Sequence, residues 1–499
     1  MIFTVEKGVN DCTLITCEPT KSNDSLLQAL DVFKLLPKNH LNTLILFTDS
    51  CSFNLSDFTE KPLNNKLYRL ITIGQAKNSS YITFAELYEH YTSIDELRQA
   101  SDSHPFLQEN ILVLQNKQTA TLTYWLKKQI RQTFLEVNLD ALAYNIRHFQ
   151  HMLPKEAKLL VLAKAFSYGN GDYEPASVMQ HLGVSYLGVA ATDEGVKLRE
   201  KGITMPIIVL TPETDHLEKL IAYKLEPEIH NFRSLKLLTE TVSKLQLNSY
   251  PIHLKVDTGM NRQGFQEHEL DDLSDYLTNN KQVKVKSLFT HLAASDEAQH
   301  DAFTNSQLAN FEEISTTFEA KLGYKFMRHA LNSGGVERFN GKPFDMVRMG
   351  IGIYGASTAS REQTKEVATF RSVVAQLKDV APPDTVGYGR MGKLTRKSRI
   401  AIIPVGYADG LNRRLSLGVG RFVVNNQSAP IVGYVCMDLT MVDVTDFNVR
   451  EGDAVTIFGK NPSIFEVAEK LDTITYEVLT NVSARVKRVY TFTDSIFNI

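Results

Sequence analysis

The sequence predicts an α/β protein built around a (β/α)8 TIM-like barrel, followed by a mainly β C-terminal domain and preceded by a small α/β Rossmann-like domain. Three patterns predict it. Between residues 132 and 368, eight apolar runs of strand length recur, most of them followed by a helix-compatible stretch. Parallel strands buried on both faces read as such near-continuous runs. From 369 to 499 the runs shorten, gain β-branched residues and are separated by tight turns, while residues 1–131 alternate strand-like and helix-like segments. At about 100–200 residues per domain, a chain of this length has room for all three parts.

In the first part, strands are expected at 13–16, 43–47, 68–73 and 111–114, with Leu26, Leu27, Leu30 and Phe33 forming one face of a helix. The segment 122–130, which holds the only tryptophan, Trp125, is expected to lead into the barrel. No Pro/Gly/Ser-rich linker marks that join, so the boundary at 131/132 rests on the change of pattern. Leu139, Leu142, Ile146 and Phe149 recur at helical spacing and predict an amphipathic helix over Leu139–Met152. The eight barrel runs are 159–163, 186–190, 207–210, 225–229, 252–256, 283–289, 326–330 and 346–353. In the last part, strands are expected at 399–404, 421–424, 431–436 and 454–458.

Composition narrows the function. A chain with 43% hydrophobic and 22% charged residues is ordinary for a globular protein, and a net charge of -3 argues against a nucleic-acid binder. Cys12, Cys17, Cys51 and Cys436 match no zinc or CxxC spacing, so no metal site is expected. The first residues hold neither a basic leader nor a long apolar run, and no stretch of about 20 apolar residues occurs. A cytoplasmic protein outside the membrane is the expectation.

Barrel active sites lie at the C-terminal ends of the strands, so the polar residues just after each run are the candidates. Lys164 follows the first run, ahead of Tyr168, Gly169 and Gly171. Asp257 to Arg262 follow the fifth, His291 the sixth, Asn332 and Ser333 the seventh, and Arg348, Gly350 and Ile351 stand at the eighth. Taken singly, each has a plain explanation. A lysine at a strand end is ordinarily a solvated group, a histidine on an apolar run is ordinarily structural, and Ser/Gly pairs are ordinarily turn chemistry. Their joint placement on one face can hold an anion and a reactive carbonyl, without naming a reaction.

The stretch 161–171 resembles the pyridoxal-phosphate lysine motif of bacterial alanine racemases. The resemblance continues in order through 255–264, 289–296, 329–333, 344–355, 386–389, 404–411, 433–438 and 485–490, and covers the chain from 133 to its end. It implies interconversion of L- and D-alanine for peptidoglycan, with pyridoxal 5'-phosphate as cofactor, in a head-to-tail homodimer with shared active sites. By motif match, Lys164 would form the Schiff base with the cofactor aldehyde and act as one proton-transfer base. Tyr388 would be the second base, helped by His291 and Arg348. Tyr168, Asn332, Ser333, Gly350, Ile351 and Tyr490 would bind the cofactor phosphate or its surroundings, and Arg348 the pyridine nitrogen. Arg262, Tyr407, Met437 and Asp438 would meet the substrate, Asp296 and Arg413 would narrow the entrance, and Tyr388, Tyr407, Met437 and Asp438 would come from the partner subunit. Lys255 matches a position that is carbamylated in some members; the alternative is a lysine paired with a nearby carboxylate. Two departures are Phe166-Ser167 in the lysine motif and Lys487 where proline is common. Two other readings stay open: a racemase of another small amino acid such as serine, and a non-catalytic pyridoxal-phosphate-binding protein. Proteins of the latter kind lack the β domain that carries Tyr388 and Met437.

The runs 9–15 and 22–30 resemble the C-terminal domain of the UDP-N-acetylmuramoyl-tripeptide–D-alanyl-D-alanine ligase, a Mur ligase known in fusions with alanine racemase. This copy lacks the reactive residues: Cys17-Glu18-Pro19-Thr20 and Gln115-Asn116-Lys117 stand where the ligase motifs belong, and no ATP loop occurs. The resemblance implies a degenerate, non-catalytic domain over 1–131, with docking to the cell-wall ligase as one use for its surface. A chain beginning near Arg131 is expected to fold alone.

Overall fold

The computed structural model describes residues 2–17, 26, 29–48, 67–74, 85–101, 105–114, 119–127, 131–339, 341–357, 361–493 and 496. The chain forms two compact units, one of residues 142–365 and one that joins 1–141 to 366–499. Among the described residues 25 strands occur, numbered β1 to β25 along the chain.

The unit of 142–365 is the barrel. Its strands are β8 (Lys158–Leu162), β9 (Tyr186–Val189), β10 (Ile207–Val209), β11 (Glu226–Ile229), β12 (Tyr250–Lys255), β13 (Val283–Phe289), β14 (Met327–His329) and β15 (Met346–Met349). Each expected run overlaps one of them. All neighbours pair in parallel, and β15 returns beside β8 with Val347 opposite Leu159. Between β14 and β15 the ladder is open. Two backbone bonds, Asp345 N–H to Arg328 O at 3.0 Å and Arg348 N–H to Leu331 O at 2.9 Å, span the gap. Leu160, Tyr186, Ile208 and Met346 fill the barrel as one apolar cluster. The last run, 346–353, stops being a strand at Met349, and Ile351–Tyr354 turns as a 3-10 helix.

The other unit is organised by one large sheet. Its N-terminal part holds β1 (Ile2–Lys7), β2 (Thr13–Cys17), β3 (Leu41–Phe47), β4 (Leu67–Ile73), β5 (Ala85–Tyr91) and β6 (Glu109–Leu114). Strands β2, β6, β3, β4 and β5 run parallel in that order, the Rossmann-like arrangement expected. β5 was not anticipated, because Ala-Glu-Leu-Tyr-Glu-His-Tyr is too polar to read as a buried strand; it is an edge strand. Trp125 lies in a helix, Thr119–Leu126, that packs on this sheet, with its ring edge-on to Phe106 at 6.0 Å. It is part of the N-terminal core, where the sequence had suggested a lead-in to the barrel. Leu27, residues 18–25, and Gln115-Asn116-Lys117 lie outside the described residues.

β1 pairs antiparallel with β25 (Lys487–Thr493), and β25 pairs in parallel with β7 (Phe134–Asn138). Beyond β7 come β16 (Ala368–Val373), β24 (Ala454–Phe458), β21 (Arg421–Val424) and β22 (Gln427–Pro430), completing a sheet of 12 strands. Residues 134–138, placed with the barrel by the sequence reading, thus belong to this sheet. Their alternation of buried Leu135 and Val137 fits any half-buried strand, so the pattern alone does not tell which sheet receives it. A separate sheet of β17 (Gln376–Val380), β20 (Ser398–Ile403) and β23 (Thr440–Asp443) completes the β domain. The expected strand at 431–436 is absent. Gly433, at φ +71°, takes the chain out of extended conformation, and only an isolated bridge, Ile431 to Val442, remains.

The β1–β25 ladder changes what the first residues do. Phe3 is fully buried and stacks on Phe492 at 5.0 Å, while Glu6 receives Lys127 at 2.8 Å and Lys487 at 3.2 Å. Arg131 clamps the buried Asp409 with bonds of 2.6 and 2.9 Å. A chain cut near Arg131 would leave β25 with an open edge. Phe3→Ala is expected to cost about 3–5 kcal/mol. In chemical unfolding of the full chain, it should shift signals of the β domain together with those of residues 1–127. A β-domain transition that does not move would show that the ladder carries no load.

Candidate active site

Lys164 begins the turn that leaves β8. The next four residues, Ala165 to Tyr168, have φ between 49° and 59°, one turn of left-handed helix. Each such non-glycine residue costs about 1–2 kcal/mol, so the turn needs support. It gets it from Ser167 N–H to Ala163 O (3.1 Å), Gly171 N–H to Phe166 O (2.9 Å) and Ala165 N–H to Glu194 Oε1 (2.7 Å). The result seats the Tyr168 ring on Tyr354 at 5.0 Å and brings its Oη to Gly350. A Cβ at Gly350 would fall 2.6 Å from that oxygen, so only glycine fits. Gly350 N–H also donates to Ser333 Oγ at 3.0 Å. The hydroxyls of Tyr168 and Ser333 and the amides of Gly350 and Ile351 thereby collect at the ends of β8, β14 and β15. Asn332 also has a structural job. Its Oδ1 caps the helix Ser333–Arg338, accepting from Gly335 N–H at 2.9 Å and Ser295 Oγ at 2.6 Å.

Arg348 is the hub. Its guanidinium donates to three backbone carbonyls, Thr290 (2.6 Å), Ala330 (2.8 Å) and His329 (3.0 Å), to His329 Nδ1 (2.8 Å) and, more loosely, towards His291 Nδ1 (3.4 Å). Burial brings its pKa down to about 10, which still leaves it charged at neutral pH. From it a hydrogen-bonded chain crosses the barrel: His329 Nε2 to Ser287 Oγ (2.9 Å), Ser287 to His253 Nδ1 (2.6 Å), and His253 Nε2 to Glu226 Oε2 (2.8 Å). An arginine only donates, so His329 Nδ1 must accept and its Nε2 must carry the proton. Ser287 then donates onward, and His253 donates to the carboxylate. Every bond points the same way. Burial and the arginine's charge hold His329 and His291 well below the usual histidine range, so both are neutral.

Lys164 is half-buried near the cations Arg262 and Lys255, and its amine is pushed below the usual lysine range, first by desolvation. A lowered amine pKa favours the form that is a nucleophile and a base. Lys255 Nζ stands 3.2 Å from Glu228 Oε1. Arg262 is exposed on a loop shaped by Asp257 Oδ1, which accepts from Gly259 and Asn261 N–H at 2.9 and 3.1 Å. Asp296 is exposed beside Gly334.

In the other unit, Tyr388, Tyr407 and Met437 are large side chains left exposed, Tyr388 at 71%. Tyr407 and Met437 are neighbours, since Tyr407 N–H donates to Cys436 O (3.0 Å) and Ala408 N–H to Met437 O (3.1 Å). Gly389 beside Tyr388 lies against the Tyr434 ring, and Arg413 covers that ring at 4.1 Å. Asp438 is paired with Arg485 at 2.6 Å. Tyr490 is buried in β25, opposite Val137 on one side and Val5 on the other. The sequence reading missed Glu226, Glu228, His253, Ser287 and His329. Their signal was present: polar residues at period two inside runs read as apolar.

A desolvated lysine, a buried arginine hub and a gathering of hydroxyls and amides where the seventh and eighth strands end together define the class: a barrel with its candidate site at the strand ends. The family models for the alanine racemase N-terminal domain and C-terminal domain match residues 137–358 and 367–490. An alanine racemase of Caldanaerobacter subterraneus subsp. tengcongensis is 36% identical over 379 residues, which cover 74% of this chain and 96% of that protein. The solved alanine racemase of Clostridium difficile 630 superposes with a TM-score of 0.70 at 30% identity, covering 74% of this chain and 97% of that one. That of the D-cycloserine-producing Streptomyces lavendulae gives 0.69 at 27%, covering 73% and 98%. The chain belongs to the alanine racemase family.

The polarised chain can be checked without an assay. Ser287→Ala strands His253 Nδ1 and the His329 Nε2–H in the core, at a cost of about 1–3 kcal/mol for each buried group. Denaturant unfolding should show that loss, and unchanged stability would mean the groups are not bonded to one another.

Proposed function

We propose that this chain interconverts L- and D-alanine with pyridoxal 5'-phosphate, as a homodimer in the cytoplasm, by a two-base mechanism. The observation that carries the reading is the turn Lys164–Tyr168, which starts at Lys164 and ends with Tyr168 beside Gly350 and its partner Ser333, next to Ile351. The donor set fits the cofactor: hydroxyls and backbone amides suit a phosphate, and a desolvated amine suits an aldehyde. When bound, the cofactor makes the Cα proton of an attached amino acid acidic.

The residues of the chain then divide the work. Lys164 Nζ takes or returns the proton on one face. Tyr388 Oη, supplied by the second copy, serves the other face. His291 Nδ1 faces Arg348, so its Nε2 carries the proton and donates to the tyrosine oxygen when that loses its own. This stabilises a phenolate whose ordinary pKa is about 10. Arg348 stays protonated throughout and lends charge without giving up a proton. Arg262, Tyr407 and the Met437 N–H bind the substrate carboxylate, and Asp296, Arg413 and Asp438 border the entrance. The exposed cluster of Tyr388, Tyr407 and Met437 supports the homodimer, since such side chains need a covering surface. Tyr490, buried in β25, and Asn332 are counted with the residues around the cofactor phosphate, as the motif match implies. The serine racemase and the non-catalytic barrel gain no support from the relatives, which are alanine racemases with both domains.

Residues 1–131 are read as a non-catalytic domain of the Mur-ligase C-terminal type, with docking to the ligase that consumes D-Ala-D-Ala as its partner role. The full chain should show no ATP hydrolysis with muramyl substrates, and binding to that ligase should vanish when 1–130 are removed.

The two-base reading is tested with L- and D-alanine in D2O. Lys164→Ala should lose racemisation outright. Tyr388→Phe should lower kcat by about 10²–10⁴-fold while Cα exchange persists for one enantiomer only. Equal exchange of both enantiomers in Tyr388→Phe would contradict the assignment, and turnover of L-serine matching L-alanine would change the substrate.

A further inference from the structure

Strands β11 and β12 face each other with two acids against two bases. Glu226 bonds His253 at 2.8 Å, and Glu228 bonds Lys255 at 3.2 Å. The first pair ends the polarised chain. The second has no part in it. The Glu228 side chain is fully buried. Its Oε1 takes Lys255 and lies 3.6 Å from His230 Nδ1, while its Oε2 has no hydrogen-bond partner. Lys255 is buried too, with Nζ 5.7 Å from the centre of the Phe289 ring. Its backbone closes the loop that carries Arg262: Phe265 N–H donates to Lys255 O at 2.8 Å and Asp257 N–H to Phe265 O at 2.9 Å.

We propose that Glu228 is the built-in anion of this site, a positioning residue that keeps Lys255 an unmodified ammonium and anchors the root of the loop presenting Arg262. The proposal rests on the reading of Arg262 as the ligand of the substrate carboxylate.

Charge decides between this and a carbamylated lysine. Carbamylation needs the Lys255 ammonium to give up one proton first; the freed Nζ lone pair then forms a bond to the carbon of CO2 as one C=O electron pair moves to oxygen, and a second proton leaves the nitrogen. An ammonium becomes an anion. Beside the Glu228 carboxylate, out of reach of solvent, two anions would repel, and the ion pair that compensates the burial of Glu228 would be lost. Around it stand Lys255, Arg262 and Arg348, whose positive charges favour the ionised form against a desolvation that pushes its pKa up to about 7. The site needs one anion there, and the side chain of Glu228, once ionised, provides it independent of dissolved CO2.

The experiment equilibrates the full chain with ¹³C-labelled bicarbonate, records the carbamate carbonyl by ¹³C NMR, and measures KM and kcat for L-alanine with and without bicarbonate. The wild type should show no carbamate signal and no bicarbonate dependence. Glu228→Ala, in bicarbonate-free buffer, should raise KM by about tenfold or more, the loss of one charge-assisted bond, with a smaller change in kcat. Added bicarbonate should then produce a carbamate signal on Lys255 and pull KM back, a rescue that mere loss of packing would not allow. Glu228→Gln, which keeps the volume, should raise KM similarly. A carbamate signal on the wild type, or an unchanged KM in both variants, would overturn the proposal. A wild type without racemase activity would instead defeat the functional reading, and the NMR signal would still report the state of Lys255.

Discussion

The barrel depends on the burial of one charge. A guanidinium taken out of water needs nearly all its donors satisfied, and Arg348 finds acceptors in the carbonyls of Thr290, His329 and Ala330 and in the ring of His329. Those carbonyls lie just past β13 and at the end of β14. Arg348 itself stands in β15. The one interval where the barrel lacks a regular ladder, between β14 and β15, is therefore bridged by a side chain. Opening the ladder frees carbonyls that the arginine needs, and the arginine holds together strands the ladder no longer joins. Structural closure and the polar centre are the same set of bonds.

From this follows the electrostatic character of the site. The arginine fixes the tautomer of His329, and through Ser287 that of His253, so the barrel interior holds neutral histidines between a cation at one end and Glu226 at the other. Around the strand ends, Lys164, Lys255, Arg262 and Arg348 are opposed chiefly by Glu228 and Glu194. An excess of positive over negative charge around the strand ends favours anions and lowers the pKa of nearby amines. Both properties suit the roles proposed for Lys164 and for the hydroxyls of Tyr168 and Ser333.

The barrel was legible because period and position are local. Eight apolar runs marked eight strands, and the residues that follow them, Lys164, His291, Ser333 and Arg348, fell where strand ends place them. What escaped was the set of polar residues facing inward within strands. Glu228 and His253 sit in runs short enough to pass as apolar, and only the three-dimensional register shows that each has a partner across the strand. Asn332 has a further use that escaped for a related reason: an asparagine before Ser-Gly-Gly is also a good helix cap, and the bond from Gly335 shows that it acts as one. Lys164 and Tyr388 stand in different units of the chain, and only a motif resemblance, never a spacing, could connect them.

The N-terminal residues pose the question of what their strands do for the rest of the large sheet. The sheet supplies a physical answer. β25 has β7 on one side; its other side would be a bare edge carrying unpaired amides and carbonyls beside Phe492, the kind of edge that recruits other chains. β1 covers it, places Phe3 on Phe492, and passes the edge on to β2, β6, β3, β4 and finally β5. That last strand is polar enough to stand in water, with Glu86, Glu89 and His90 along it. The exposed edge has thus been moved from an aromatic strand to a charged one. Covering that edge for the solubility and stability of the β domain is then reason enough to keep these N-terminal strands.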